Sequence, residues 1–218
     1  MLACLCLGLV LIPETWADLA AYKRDVIMSG EWWRLWSGHF VHFTPMHAFV
    51  NSALLLLLSV VIGRVYSWKL VGALFLIGPP VISLALLYLV PEMDTYRGTS
   101  ALAALFMTIS IALALDRTHG ITAFLLYALI VVWLAKLFSE IAGGIGFSNL
   151  PPGVHVAWQA HIAGILVGMA LNFGLRQLEL RAKSLSALDR ILPSMSRISI
   201  IGFRFDKNIR NSCGSQDH

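Results

Sequence analysis

Apolar runs separated by short charged or turn-forming segments recur along the 218-residue chain, at residues 1–13, 46–63, 70–90, 99–115, 120–142 and 156–175. A helix needs about 20 predominantly apolar residues to cross the ~30 Å hydrocarbon core of a bilayer. The pattern therefore predicts an all-α membrane protein built as a six-transmembrane-helix bundle over residues 1–175, followed by a polar tail over 176–218. The opening run, MLACLCLGLVLIP, has no basic residue before its apolar stretch and is shorter than a full span. It reads as a short or truncated first transmembrane helix rather than a secretory signal.

The breaks between runs alternate in charge. Arg64 and Lys69 flank one, Arg117 sits in another, and the tail opens with Arg176, Arg181 and Lys183. By the positive-inside rule these ends are cytoplasmic, which places both termini inside. Residues 14–45, 91–97 and 143–155 then face outward. Two of these outer segments carry more than connectors need. WWRLWSGHFVHF (32–43) has three tryptophans, an arginine and two histidines, a composition suited to the headgroup zone. GGIGFSNLPPG (143–153) has four glycines and two prolines and predicts a pliable loop into the last span.

Composition agrees: 58% of residues are apolar, 13% are charged and the mean hydropathy is +0.76, far from the profile of a soluble domain. The net charge of +4 carries no nucleic-acid signal. Residues 1–175 hold eight basic and eight acidic residues, whereas 176–218 hold eight basic and four acidic, so the whole excess lies in the tail. With only Cys4, Cys6 and Cys213, no disulfide framework or CxxC motif can be written, and no metal or cofactor is expected. The partner that composition implies is the lipid bilayer.

Polar side chains at membrane depth are costly without partners, so they are where chemistry is sought. His47 and Asn51 lie four apart on one face of the second span, near its outer end. Ser100 opens the fourth span behind Gly98, and His161 lies one to two turns into the sixth. All four fall in the outer third of the bilayer. A serine hydroxyl becomes a nucleophile when a base adjoins it, and histidine is the base that works near neutrality. The small residues Ala160, Gly164 and Gly168 on the sixth helix and Ala101, Ala104 and Thr108 on the fourth would let those two helices touch. His47, Asn51 and the Ser100 backbone N–H could then serve a developing oxyanion.

Taken singly, each residue has a plainer reading. A serine in a membrane helix commonly bonds its own i−4 carbonyl, and a histidine can simply join helices. His39, His42 and His155 read as interfacial or structural, and Lys136 with Glu140, four apart in the fifth span, as a self-paired snorkelling couple. The combination at one depth is what favours chemistry.

These residues resemble the rhomboid family of intramembrane serine proteases. WWRLWSGHFVHFTPMHAFVN is similar to the family's first outer loop and second helix, with His42, His47 and Asn51 in an H-x-x-x-x-H-x-x-x-N series. RGTSAL resembles the G-x-S-G serine motif, with Ala101 in its last position, and AHIAGILVG resembles the A-H-x-x-G-x-x-x-G of the sixth helix. The resemblance implies Ser100 as nucleophile, His161 as general base, His47 and Asn51 as oxyanion donors, and a dyad that needs no third carboxylate. YKRDVIMSGEWWRLWSGHFVH and PGVHVAWQAHIAG are most similar to the rhombosortase subgroup, which implies substrates with a C-terminal Gly-Gly membrane anchor and a site facing the bacterial periplasm. A catalytically inactive rhomboid-like client binder is the alternative, disfavoured because Ser100 and His161 are both present. An unrelated transporter would carry broken helices or midplane charges instead. The tail resembles no family; its SLSALDRILPSMSRI portion reads either as an amphipathic helix or as disordered.

Overall fold

A computed structural model describes residues 13–115, 119–142 and 157–191. The expected first span thus lies almost wholly outside the described residues, as do the glycine-rich outer loop and the end of the tail. The chain forms two units, Met1–Gly174 and Leu175–His218.

In the first unit, residues 14–44 form a folded cap. It contains helices α1 (Glu14–Ala20), α2 (Arg24–Met28) and α3 (Arg34–Ser37), and a short strand β1 (Tyr22–Lys23). Strand β1 pairs antiparallel with β2 (Thr95–Tyr96), Tyr22 opposite Tyr96 and Lys23 opposite Thr95. Hydropathy alone gave this segment no internal order. Its order comes from side chains that reach backbone carbonyls. Arg34 donates to the Ala21 and Asp18 carbonyls and pairs with Glu31 at 2.6 Å.

The long helices are α4 (Pro45–Val65), α5 (Trp68–Leu89), α6 (Ser100–Leu115), α7 (Gly120–Ile141) and α8 (Trp158–Ile191). Thr44 caps α4 by accepting the His47 N–H at 3.2 Å, with Pro45 in the first helical turn where its missing N–H costs nothing. Ser67 caps α5 in the same way through the Leu70 N–H. Pro79 and Pro80 lie inside α5. Pro80 cannot donate to the Leu76 carbonyl, and the cap supplies the donor: Trp36 Nε1–H reaches that oxygen at 2.7 Å. Nearby, Ser83 Oγ donates to the Leu35 carbonyl at 2.9 Å, and His39 Nε2 lies 3.0 Å from the same hydroxyl. The cap is thus joined to the stretch of α5 that its prolines disrupt.

Helix α6 is the centre of the unit, with every residue from Ala101 to Met107 buried. It packs chiefly on α4, and Leu102, Leu105, Phe106 and Ile109 meet Leu55, Ile62, Ile82 and Leu86 in one core. Among the described residues, α4, α5 and Trp158–Ser186 of α8 are long and apolar enough to cross a membrane, and α6 is a shorter apolar helix. In the second unit the described residues are helical to Ile191. The helix therefore does not stop at residue 175 as the hydropathy pattern suggested. Residues 176–191 contain neither glycine nor proline, and Leu, Arg, Lys, Glu and Gln are good helix formers.

Candidate active site

The chain reaches α6 through Gly98 and Thr99, and this approach is tightly determined. Gly98 has φ +128° in the left-handed region, its N–H donates to the Gly38 carbonyl at 3.0 Å, and a Cβ there would come 3.0 Å from the His47 ring. Glycine is required for both reasons. His42 Nε2 accepts the Thr99 N–H at 3.3 Å and lies 3.2 Å from the Thr99 hydroxyl. An N–H can only donate, so the ring proton of His42 is on Nδ1. Burial lowers the His42 pKa to about 3 and that of His39 to about 4, so both rings are neutral at neutral pH.

Tyr96 holds the next turn. Its phenol donates to the Gly98 carbonyl and accepts the Ala101 N–H at 3.3 Å. Burial pushes this phenol up to about 12, which keeps it a donor. The N–H groups of Thr99 and Ala101 are thus occupied. The Ser100 N–H between them has no partner among the described residues.

Ser100, Asn51 and His161 line one pocket of about 40 Å³, together with Leu54, Ala103, Ala104, Met107 and Trp133. That volume is enough to hold water, since one molecule needs about 10–15 Å³. His161 reaches the same pocket as Ser100 because α8 approaches α6 closely. A Cβ on Gly164 would overlap the Ala101 carbonyl oxygen and come 3.3 Å from Ala104 Cβ; one on Gly168 would come 2.8 Å from Thr108 Cβ and 2.9 Å from the Leu105 carbonyl. Ala160, one turn earlier, is fully buried. The small-residue stripe therefore meets the partners its spacing predicted. Ala101, at the position where the serine motif has glycine, fits because Gly164 gives the room.

His47 is placed differently from the other three. It does not line the pocket; its ring lies edge-on to His42 at 5.2 Å and against Gly98. Asn51 Nδ2 and His47 Nδ1 are buried and have no hydrogen-bond partner among the described residues. His39 and His42 are structural, as expected, while His155 lies outside the described residues.

The sequence reading did not foresee two features. Trp133 and Met107 close the pocket, yet in sequence both look like ordinary apolar residues of a span. Glu140 does pair with Lys136 as its spacing suggested, but it also reaches another helix: Glu140 Oε2 accepts from His161 Nδ1 at 2.9 Å. The available signal was an acidic residue inside an apolar run.

A bundle of apolar helices, with a serine, a histidine and an asparagine lining one small pocket, is that of an integral membrane protein. A family model of the rhomboid domain matches residues 29–178, more than half of the chain, and the chain belongs to the rhomboid family. Members of that family are in general intramembrane serine proteases, acting on membrane proteins within the bilayer. No curated protein matches the chain.

Proposed function

We propose that the protein is an intramembrane serine endopeptidase in which Ser100 is the nucleophile and His161 the general base. The observation that carries this reading is the shared pocket of Ser100, His161 and Asn51, with the Asn51 amide nitrogen buried and unpartnered beside it. Ser100 Oγ attacks the scissile carbonyl while its proton passes to His161 Nε2. That proton then goes to the departing amine, and a water activated by the same nitrogen releases the acyl group. Asn51 Nδ2 and the Ser100 N–H are donors suited to the tetrahedral oxyanion. His47, one turn before Asn51, is a second side-chain donor whose Nδ1 is unengaged.

We read the architecture as six spans, residues 1–13 forming the first, with both termini cytoplasmic and the site toward the periplasmic face of a bacterial inner membrane. Helix α6 has 16 residues and rises about 24 Å, less than the ~30 Å core. With its far end at the inner interface, Ser100 lies below the outer one, beneath the cap. A nucleophile there reaches bonds near the outward end of a substrate helix, which must unwind locally. Glycine costs a helix about 1 kcal/mol relative to alanine, so a Gly-Gly pair at that edge opens readily. The substrate is accordingly an exported protein with a C-terminal Gly-Gly, one apolar span and basic residues after it.

A reporter fused to such a tail should be released outward by the wild-type protein and not by Ser100→Ala, and replacing the glycines with leucines should suppress release. Efficient release of the leucine version overturns the substrate rule; release by Ser100→Ala overturns the nucleophile. Cys213 should react with an impermeant thiol reagent only after permeabilisation, and labelling in intact cells would invert the topology.

A further inference from the structure

The carboxylate of Glu140 stands between two donors. Lys136 Nζ bonds Oε1 one turn back on α7, and His161 Nδ1 bonds Oε2 at 2.9 Å from α8. The Glu140 side chain is only 3% exposed, so it stands among buried groups where an unpaired carboxylate would be costly. The second of these contacts reaches the pocket that holds Ser100, since His161 lines it. Self-pairing with Lys136 would be satisfied by Oε1 alone. It gives no reason for Oε2 to meet the histidine that, among the described residues, shares a pocket with Ser100.

We propose that Glu140 is a positioning residue for His161: by accepting the Nδ1–H it selects the tautomer and ring orientation that leave Nε2 unprotonated toward Ser100. This rests on the reading of Ser100 and His161 as nucleophile and base. A neutral imidazole carries one ring proton. With that proton on Nδ1 and donated to Glu140, Nε2 holds the lone pair that takes the serine proton. The imidazolium then formed keeps its Nδ1–H on a carboxylate, which is the charge that best accommodates it. Lys136 has a part in this. Its ammonium has three donors and no acceptor, so it holds one carboxylate oxygen and turns the other toward α8.

The same chemistry specifies how substitution fails. In Glu140→Gln the amide oxygen is drawn to Lys136, which turns the NH₂ toward His161. Nδ1 must then accept, the ring proton moves to Nε2, and the base is lost. Removing the lysine as well, in Lys136→Met/Glu140→Gln, frees the amide to rotate and present its oxygen to Nδ1–H.

The test uses the full chain in detergent and a fluorophosphonate probe, which needs no knowledge of the substrate. Labelling at Ser100 is followed as maximal rate constant and half-saturating concentration, and ¹⁵N-histidine NMR reads the tautomer of His161. Removing a general base costs about 10²–10⁴. Mispositioning it in Glu140→Gln should lower the maximal rate constant by roughly 10- to 10³-fold, with half-saturation unchanged and the His161 proton found on Nε2. The double variant should recover part of the loss, and Glu140→Asp, which keeps the carboxylate if glutamine prevents folding, should be intermediate. A carboxylate that serves only folding would reduce the amount of labelled protein and leave the rate constant and tautomer as they are. That result overturns the proposal, as does a slow Glu140→Gln variant whose His161 still carries its proton on Nδ1. If the active-site reading itself is wrong, the wild-type protein is unlabelled, or labelled equally in Ser100→Ala.

Discussion

The cap and the pocket each contain a network of carboxylates and cations, and the two are built to opposite rules. Against the cap, buried Arg97, which follows β2, pairs with Glu14 at 2.6 Å and Asp18 at 2.9 Å, lies 4.9 Å from the Phe43 ring centroid, and is joined through Asp18 to Lys23. Here the cation is buried and the carboxylates face out, the Glu14 side chain being 74% exposed. At the pocket the carboxylate is buried and one of its partners is a histidine with a second nitrogen to offer. An ion pair whose acid is exposed contributes about 0–1 kcal/mol and serves to tether chain segments. A buried acid held between two donors constrains which proton sits where. On the proposed reading, the difference teaches that burial of the acid, more than the presence of an ion pair, marks the network tied to chemistry.

The sharpest way to break this contrast is to remove the groups proposed to react. Ser100→Ala and His161→Ala should each abolish cleavage with little change in thermal stability, and the double variant should be no worse than either, because the residues act as a unit. Turnover near wild type in either single variant would assign the chemistry elsewhere. Next in size is the donor set. Loss of one oxyanion donor costs about 2.7–4 kcal/mol, so Asn51→Ala should slow turnover roughly 10²- to 10³-fold. His47→Ala, whose ring lies outside the pocket lining, should cost less. Equal rates for both variants and wild type would return these residues to packing.

Packing is challenged by Gly164→Leu. A side chain there has to displace the Ala101 backbone, so both melting temperature and activity should fall; retention of both would show that α6 and α8 can separate without consequence. The cap should respond more mildly. Arg97→Gln removes two ion pairs with exposed or half-exposed acids, each worth about 0–1 kcal/mol, and should lower the melting temperature by a few degrees while leaving turnover per folded molecule unchanged. A loss of turnover comparable to that of Asn51→Ala would make the cap part of the chemistry.

A further effect expected is one of pH. His39 and His42 have folded pKa values of about 4 and about 3, below the ordinary 6.5. Between those limits the unfolded chain binds more protons than the folded one, so their contribution to stability is complete above pH 6.5 and declines as the pH falls toward 4. Melting curves at pH 7 and pH 5 should show the loss. A flat profile would mean that these rings are solvated and that the cap is looser than its hydrogen bonds imply.

The helical spans were legible in the sequence because hydropathy and helix period are local properties. Five of the expected runs fall on α4 to α8, and a Thr-Pro start or a Ser cap acts within four residues. The alignment of Ala160, Gly164 and Gly168 with Ala101, Ala104 and Thr108 was legible too, since a helix repeats its face every three or four residues. Tertiary structure alone decided which polar groups meet across elements. Trp36 finds the Leu76 carbonyl 40 residues away and His161 finds Glu140 across 21. Nothing in the spacing of either residue names its partner, because a side chain at membrane depth bonds to whichever donor or acceptor the packing of the helices brings within reach.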